Sequence, residues 1–167
     1  MRKYLLKIGL VTTLAIYLLI LSKLILFKHL PLSEITRHFT FNSDHAYLGN
    51  HNFIPLKTII FYFYLADVNL NIRVENLVGN MIGFAPFGFM LPLLTKRFST
   101  TKNIIAATLC LSLLFELIQF VFKFGSFDVD DLILNTLGGL LGYCIFSVCR
   151  SMRVHCKGRE SKVFKSE

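Results

Sequence analysis

Apolar residues fall into four long blocks separated by shorter polar stretches. Each block is close to the roughly 20 residues that a helix needs to cross a bilayer at a rise of about 1.5 Å per residue. Ile8 to Phe27 carries a single charge, Lys23, beside Ser22, and Val74 to Pro92 carries two asparagines, three glycines and two prolines. Ile104 to Phe124 contains Glu116 and Gln119, and Leu132 to Cys149 closes the series. The pattern predicts an all-α membrane protein, a four-transmembrane-helix bundle. A shorter run, Ile59 to Leu65, is aromatic and too short to cross, so it reads as a re-entrant or interfacial segment in the first outer loop, with its tyrosines at headgroup level. The expected organisation is a first span over residues 1–27, an outer loop over 28–73, a core of three spans over 74–149 and a basic tail over 150–167.

The second block is poorly built for simple anchoring. On a helix Asn76, Gly79, Asn80 and Gly83 share one stripe, at i, i+3, i+4 and i+7. An amide left without a partner in hydrocarbon costs on the order of several kcal/mol, so that stripe is expected to face protein. Pro86 and Pro92 each remove a backbone donor and crowd the preceding turn, which predicts a kinked or broken inner half. The fourth block repeats the spacing as Asn135, Gly138 and Gly142. Parallel internal repeats would give such an echo, and so would glycines spaced for close helix approach, which also allows a homodimer.

Composition agrees with the pattern: 54 % of residues are hydrophobic and 17 % charged, too apolar for an average soluble domain. The net charge of +8 is concentrated in blocks beside the apolar runs, which marks topology rather than a nucleic-acid footprint. Three Lys/Arg precede the first span, three lie in Thr95 to Asn103 and six follow from Arg150, while the turn Gly125 to Asp131 has three acids and no base. Basic ends are expected inside, so both termini are predicted to be cytoplasmic. The long loop and the acidic turn then meet on the outer face. Cys110, Cys144, Cys149 and Cys156 have no paired spacing and read as free thiols. His29, His38, His45 and His51 are too irregular for a zinc set. Nothing in the pattern calls for a metal or another cofactor.

The chemistry of the chain centres on Glu116. Counted from Ile104 it lies roughly 18 Å along its helix, in the outer half of the membrane. A carboxylate there costs at least about 2.5–3.5 kcal/mol on insertion scales and should face the bundle interior. Ser112, Gln119 and Lys123 extend it into a polar stripe. Asp128 and Asp130 are candidates for capping the last helix, and Asp131 stands one turn before Asn135. Asn76, Asn80, Glu116, Gln119, Asp131 and Asn135, with Asp128 at the mouth, are therefore the candidate residues of a polar pocket opening toward the outer leaflet.

Four pieces of the chain resemble the VanZ family of small bacterial membrane proteins: NFIPL at Asn52 to Leu56, ENLVGNMIGFAPFGFMLP at Glu75 to Pro92, LSLLFELIQFVF at Leu111 to Phe122, and FDVDDLILNTLGGLLGY at Phe127 to Tyr143. The resemblance implies residence in the bacterial plasma membrane and a part in resistance to glycopeptides, chiefly teicoplanin and lipid-tailed relatives. It implies no known reaction. A polar pocket beside aromatic interfacial residues suits an amphiphile, either a lipid-tailed antibiotic or a lipid-anchored wall precursor. A second reading is a membrane enzyme acting on a lipid-linked substrate, with Glu116 as general base and Asp131 or Asp128 in support. The pocket offers that reading neither a nucleophile nor a histidine. A third, a proton-coupled transporter, rests on Glu116 alone.

Overall fold

A computed structural model describes residues 1–26, 51–65, 70–122 and 125–163 of the chain, with side chains described except at 2, 65, 70–75 and 156–163. Lys28 to Asn50, Lys123 and the side chain of Cys156, all used in the sequence reading, lie outside what is described. The elements are α1 (Arg2–Leu26), a short α2 (Lys57–Ile60) that continues as a π-helical turn over Phe61–Leu65, α3 (Leu70–Leu94), α4 (Thr101–Phe122) and α5 (Val129–Val163). A single 3-10 turn, Lys96–Phe98, joins α3 to α4. Among the described residues four stretches, Lys3–Leu26, Asn76–Leu94, Thr101–Phe122 and Val129–His155, are long and apolar enough to cross a membrane.

Pro86 and Pro92 both lie inside one uninterrupted α3, so of the expected kink or break the break is absent. Local propensity is overridden by packing: Phe84, Phe87, Met90 and Leu91, which surround the prolines, are all buried, and neighbouring helices hold a proline-bearing span in shape. The last helix runs on beyond the expected span, through the basic tail to Val163. No proline lies beyond Cys149, and the Arg, Lys, Met and Glu residues there are good helix formers.

The centre of the bundle is the contact of α3 with α5, and it is made of missing side chains. A Cβ on Gly142 would stand 1.8 Å from the Ala85 carbonyl oxygen, one on Gly138 2.1 Å from that of Met81, and one on Gly88 1.8 Å from that of Gly139. The two backbones therefore touch over two turns, the close approach that small residues permit in lipid. The echo noticed in the sequence does not extend to packing. A Cβ on Gly79 would meet nothing within 4 Å, and one on Gly83 only the Leu21 side chain at 3.4 Å. Helix α1 leans on this core from outside. Leu21 packs with Phe84 and Phe115, and the Tyr17 hydroxyl donates to the Gly83 carbonyl. Leu14, Leu18, Ile25 and Leu26 pack partly against the core as well, while Leu5, Ile8, Ile16 and Leu19 are exposed, which in a membrane means contact with acyl chains.

Candidate functional site

Polar side chains gather at the end of the bundle where α5 begins. Asp128 caps α5 in the expected manner: its Oδ1 accepts the Asp130 backbone N–H at 2.8 Å, satisfying one donor that the first turn leaves over. Its own N–H donates to Glu116 Oε2 on α4 at 2.9 Å. Glu116 is 1 % exposed, and the carboxylates of Asp128 and Asp131 lie within electrostatic range of it. Asn80 on α3 donates to Asp131 on α5 at 2.6 Å, and one turn further along the Asn135 amide donates to Ser112 on α4 at 2.8 Å. Asn76 is half-buried on the same helix as Asn80 and also takes part in polar contact.

The candidate residues are thus joined across α3, α4 and α5 by short links rather than by one convergent knot. Gln119 goes elsewhere. It donates to the Ile25 carbonyl of α1 at 2.9 Å, closing the last turn of that helix, where orphan carbonyls need donors. Its amide also sits against the bare backbone of Gly125, whose Cβ would lie 3.2 Å away.

Asp130 and Asn52 are the residues the sequence reading left out of the site. Asp130, fully buried, accepts the backbone N–H groups of Leu56, Thr58 at 2.6 Å and Ile59 at 3.1 Å. These are the free donors at the start of α2. Leu56, its N-cap, has a left-handed backbone (φ 67°) and no side chain able to cap, so a carboxylate from another helix does the capping. Asn52 completes the joint. Its backbone pairs with the Phe127 carbonyl at 2.8 Å and the Val129 N–H at 3.0 Å, and its amide donates to Asp128 at 2.9 Å and to Thr58 at 3.0 Å. The signal was present in the sequence as Asn52 beside the apolar Phe53 to Leu56, and as the acids of Phe127 to Asp131 between apolar residues. Nothing in their spacing says that they pair across some 75 positions.

The clamped segment carries an apolar shelf. Phe53, Ile54, Phe61 and Phe63 are exposed by about half or more, and Tyr64 is 80 % exposed. Phe53 stacks on Phe127 with centroids 5.3 Å apart, and His51 meets Phe120 edge-on at 5.0 Å. His51 Nδ1 accepts the Phe127 N–H at 3.1 Å, a use that leaves one ring nitrogen for other partners. Among the described residues no three His, Cys, Asp or Glu side chains are grouped as metal ligands. The resulting site is a row of carboxylates and amides beside a broad aromatic surface, a combination that can hydrogen-bond a polar head while an apolar tail lies alongside.

Comparison with known proteins places these residues in context. A family model described as VanZ/LLP1 matches residues 14–150, a range that takes in the acids, the clamp and the α3–α5 seam. Protein VanZ of Enterococcus faecium is 39 % identical over 74 residues, which is 44 % of this chain and 45 % of that protein. The match thus spans less than half the length of that relative. No solved structure matches.

Proposed function

The chain belongs to the VanZ/LLP1 family, and from that membership and the acid-rich end of the bundle we propose that it protects the cell against teicoplanin-type glycopeptides by engaging a lipid-tailed ligand in the outer leaflet. It is a multi-pass membrane protein, with four helices among the described residues long and apolar enough to cross. In this reading both termini lie in the cytoplasm and the acid-rich end faces outward, because the basic residues cluster at the opposite ends of the spans. The ligand is the antibiotic itself or a lipid-anchored wall precursor.

The observation that carries the proposal is that acids at the start of α5 hold the segment bearing the exposed aromatics: Asp128 accepts from the Asn52 amide and Asp130 from the N–H groups of Thr58 and Ile59, with exposed Phe53, Phe61, Phe63 and Tyr64 on that same segment. An amphiphile lying in a leaflet presents its head and tail to a protein in just that order. The polar groups come from three helices held by the glycine seam, so they are positioned before a ligand arrives, which lowers the ordering cost of binding.

Expression of Glu116→Gln and Asp131→Asn variants in a susceptible strain tests this. At membrane levels equal to wild type, both are expected to lose most of the protection against teicoplanin. Full protection by both would remove the polar site from the account. Mass spectrometry of lipid-linked wall precursors from the same strains addresses the enzymatic alternative, in which Glu116 is a general base. A new covalent species dependent on Glu116 would replace binding with catalysis.

A further inference from the structure

The polar row on α4 continues deeper than the proposed ligand site. Thr108, Ser112 and Glu116 follow at i, i+4 and i+8 on one face, and the first two are fully buried. Opposite them on α5 stand Asn135, 3 % exposed, and Gly139, whose Cβ would lie 2.3 Å from the Thr108 hydroxyl. Asn135 and Ser112 are joined directly. Yet the other amide atom of Asn135, Oδ1, and the Thr108 hydroxyl oxygen are both buried without a hydrogen-bond partner among the described residues.

Exchanging the amide oxygen and nitrogen does not remove the problem. Ser112 would then donate to Oδ1 and leave the amide nitrogen unpaired, so one end of Asn135 needs a partner in either assignment. The partner must therefore donate or accept as required, and it must also reach the Thr108 hydroxyl, one helical turn before Ser112 on α4.

We propose that a buried water molecule sits in the α4–α5 seam and bridges the Asn135 amide to the Thr108 hydroxyl, with Ser112 alongside. Buried waters typically make about three hydrogen bonds to groups otherwise left unsatisfied, and Asn135, Thr108 and Ser112 supply that number. The bridge extends the polar contact between α4 and α5 from the acid cluster to the level of Gly139. It locks the register of the two helices that carry Glu116 and Asp131. This inference does not depend on the identity of any amphiphile, since the water belongs to the resting protein.

The test uses the full chain in detergent micelles. Thr108→Val keeps the shape of the side chain and removes its hydroxyl. With the water in place the variant loses a bridge and its melting temperature is expected to fall by about 2–4 °C. Without the water it loses only an unpaired polar group, and the melting temperature holds or rises. Nuclear magnetic resonance gives a separate readout in the wild-type protein: a cross-peak between long-lived water and the side-chain amide protons of Asn135. Its presence supports the bridge, and its absence overturns the proposal even if Thr108→Val fails to fold. Either result leaves teicoplanin protection by Glu116 and Asp131 to be decided on its own.

Discussion

Gly142→Ala is expected to lower the melting temperature of the purified protein by about 5–10 °C, corresponding to roughly 2–3 kcal/mol for a chain of this size. The sign is informative because alanine is the better helix former by about 1 kcal/mol. That gain is overwhelmed here because the new methyl would lie 1.8 Å from the Ala85 carbonyl oxygen, and backbone cannot move aside as a side chain can. Helices α3 and α5 must then separate along the whole seam, losing dispersion contacts that have no hydrophobic substitute in lipid. Gly79→Ala belongs to the other copy of the same small-residue spacing and meets nothing within 4 Å. It is expected to leave the melting temperature unchanged or slightly raised. Equal losses for the two variants would show that the α3–α5 contact has been misidentified.

Asp130→Asn is expected to release the segment around α2 while leaving the bundle folded. A carboxylate accepts at both oxygens, and here the backbone N–H groups of Leu56, Thr58 and Ile59 all point at it. An amide turns one of those acceptors into a donor. At least one buried N–H then loses its partner, at roughly 1–3 kcal/mol for each group left unsatisfied, and Leu56 is deprived of the bond that helps hold its left-handed backbone. Hydrogen exchange at Leu56, Thr58 and Ile59 should pass from slow to fast in this variant. Asp131→Asn, whose side chain meets Asn80 instead, should leave those amides protected. Unchanged exchange in Asp130→Asn would mean that Asn52 and the backbone bridge to Phe127 and Val129 suffice to hold the segment.

These two cases also mark what the sequence could and could not disclose. The four spans were legible because about 20 apolar residues between polar turns have few other uses, and Glu116 was legible because a carboxylate in such a run demands an interior position. The glycine spacing on the last span predicted close approach, and Gly138 and Gly142 make it against Met81 and Ala85. The same spacing on the second span misled, since whether a missing side chain is filled by a neighbour depends on tertiary placement. The break expected at proline is absent for a similar reason: the cost at Pro86 and Pro92 is local, whereas the buried phenylalanines around them act across helices. The sequence marks Asp130 only as a capping alternative to Asp128, because capping of its own helix is visible within a few residues. Capping of α2 from some 70 positions away is not. Gln119 was expected among the acids for its place on the Glu116 stripe, but its reach to the end of α1 depends on where that helix leans.

The central claim is that the acid–amide row and the aromatic shelf bind an amphiphile together, and direct binding tests it. The full chain in lipid nanodiscs, titrated with fluorescent teicoplanin and with a glycopeptide lacking the acyl tail, should bind the tailed compound at least about tenfold more tightly. The Phe63→Ser, Tyr64→Ser double variant should remove that preference, and Asp131→Asn should weaken the binding of both compounds. Equal affinity for the two compounds, or binding untouched by both variants, would contradict the account.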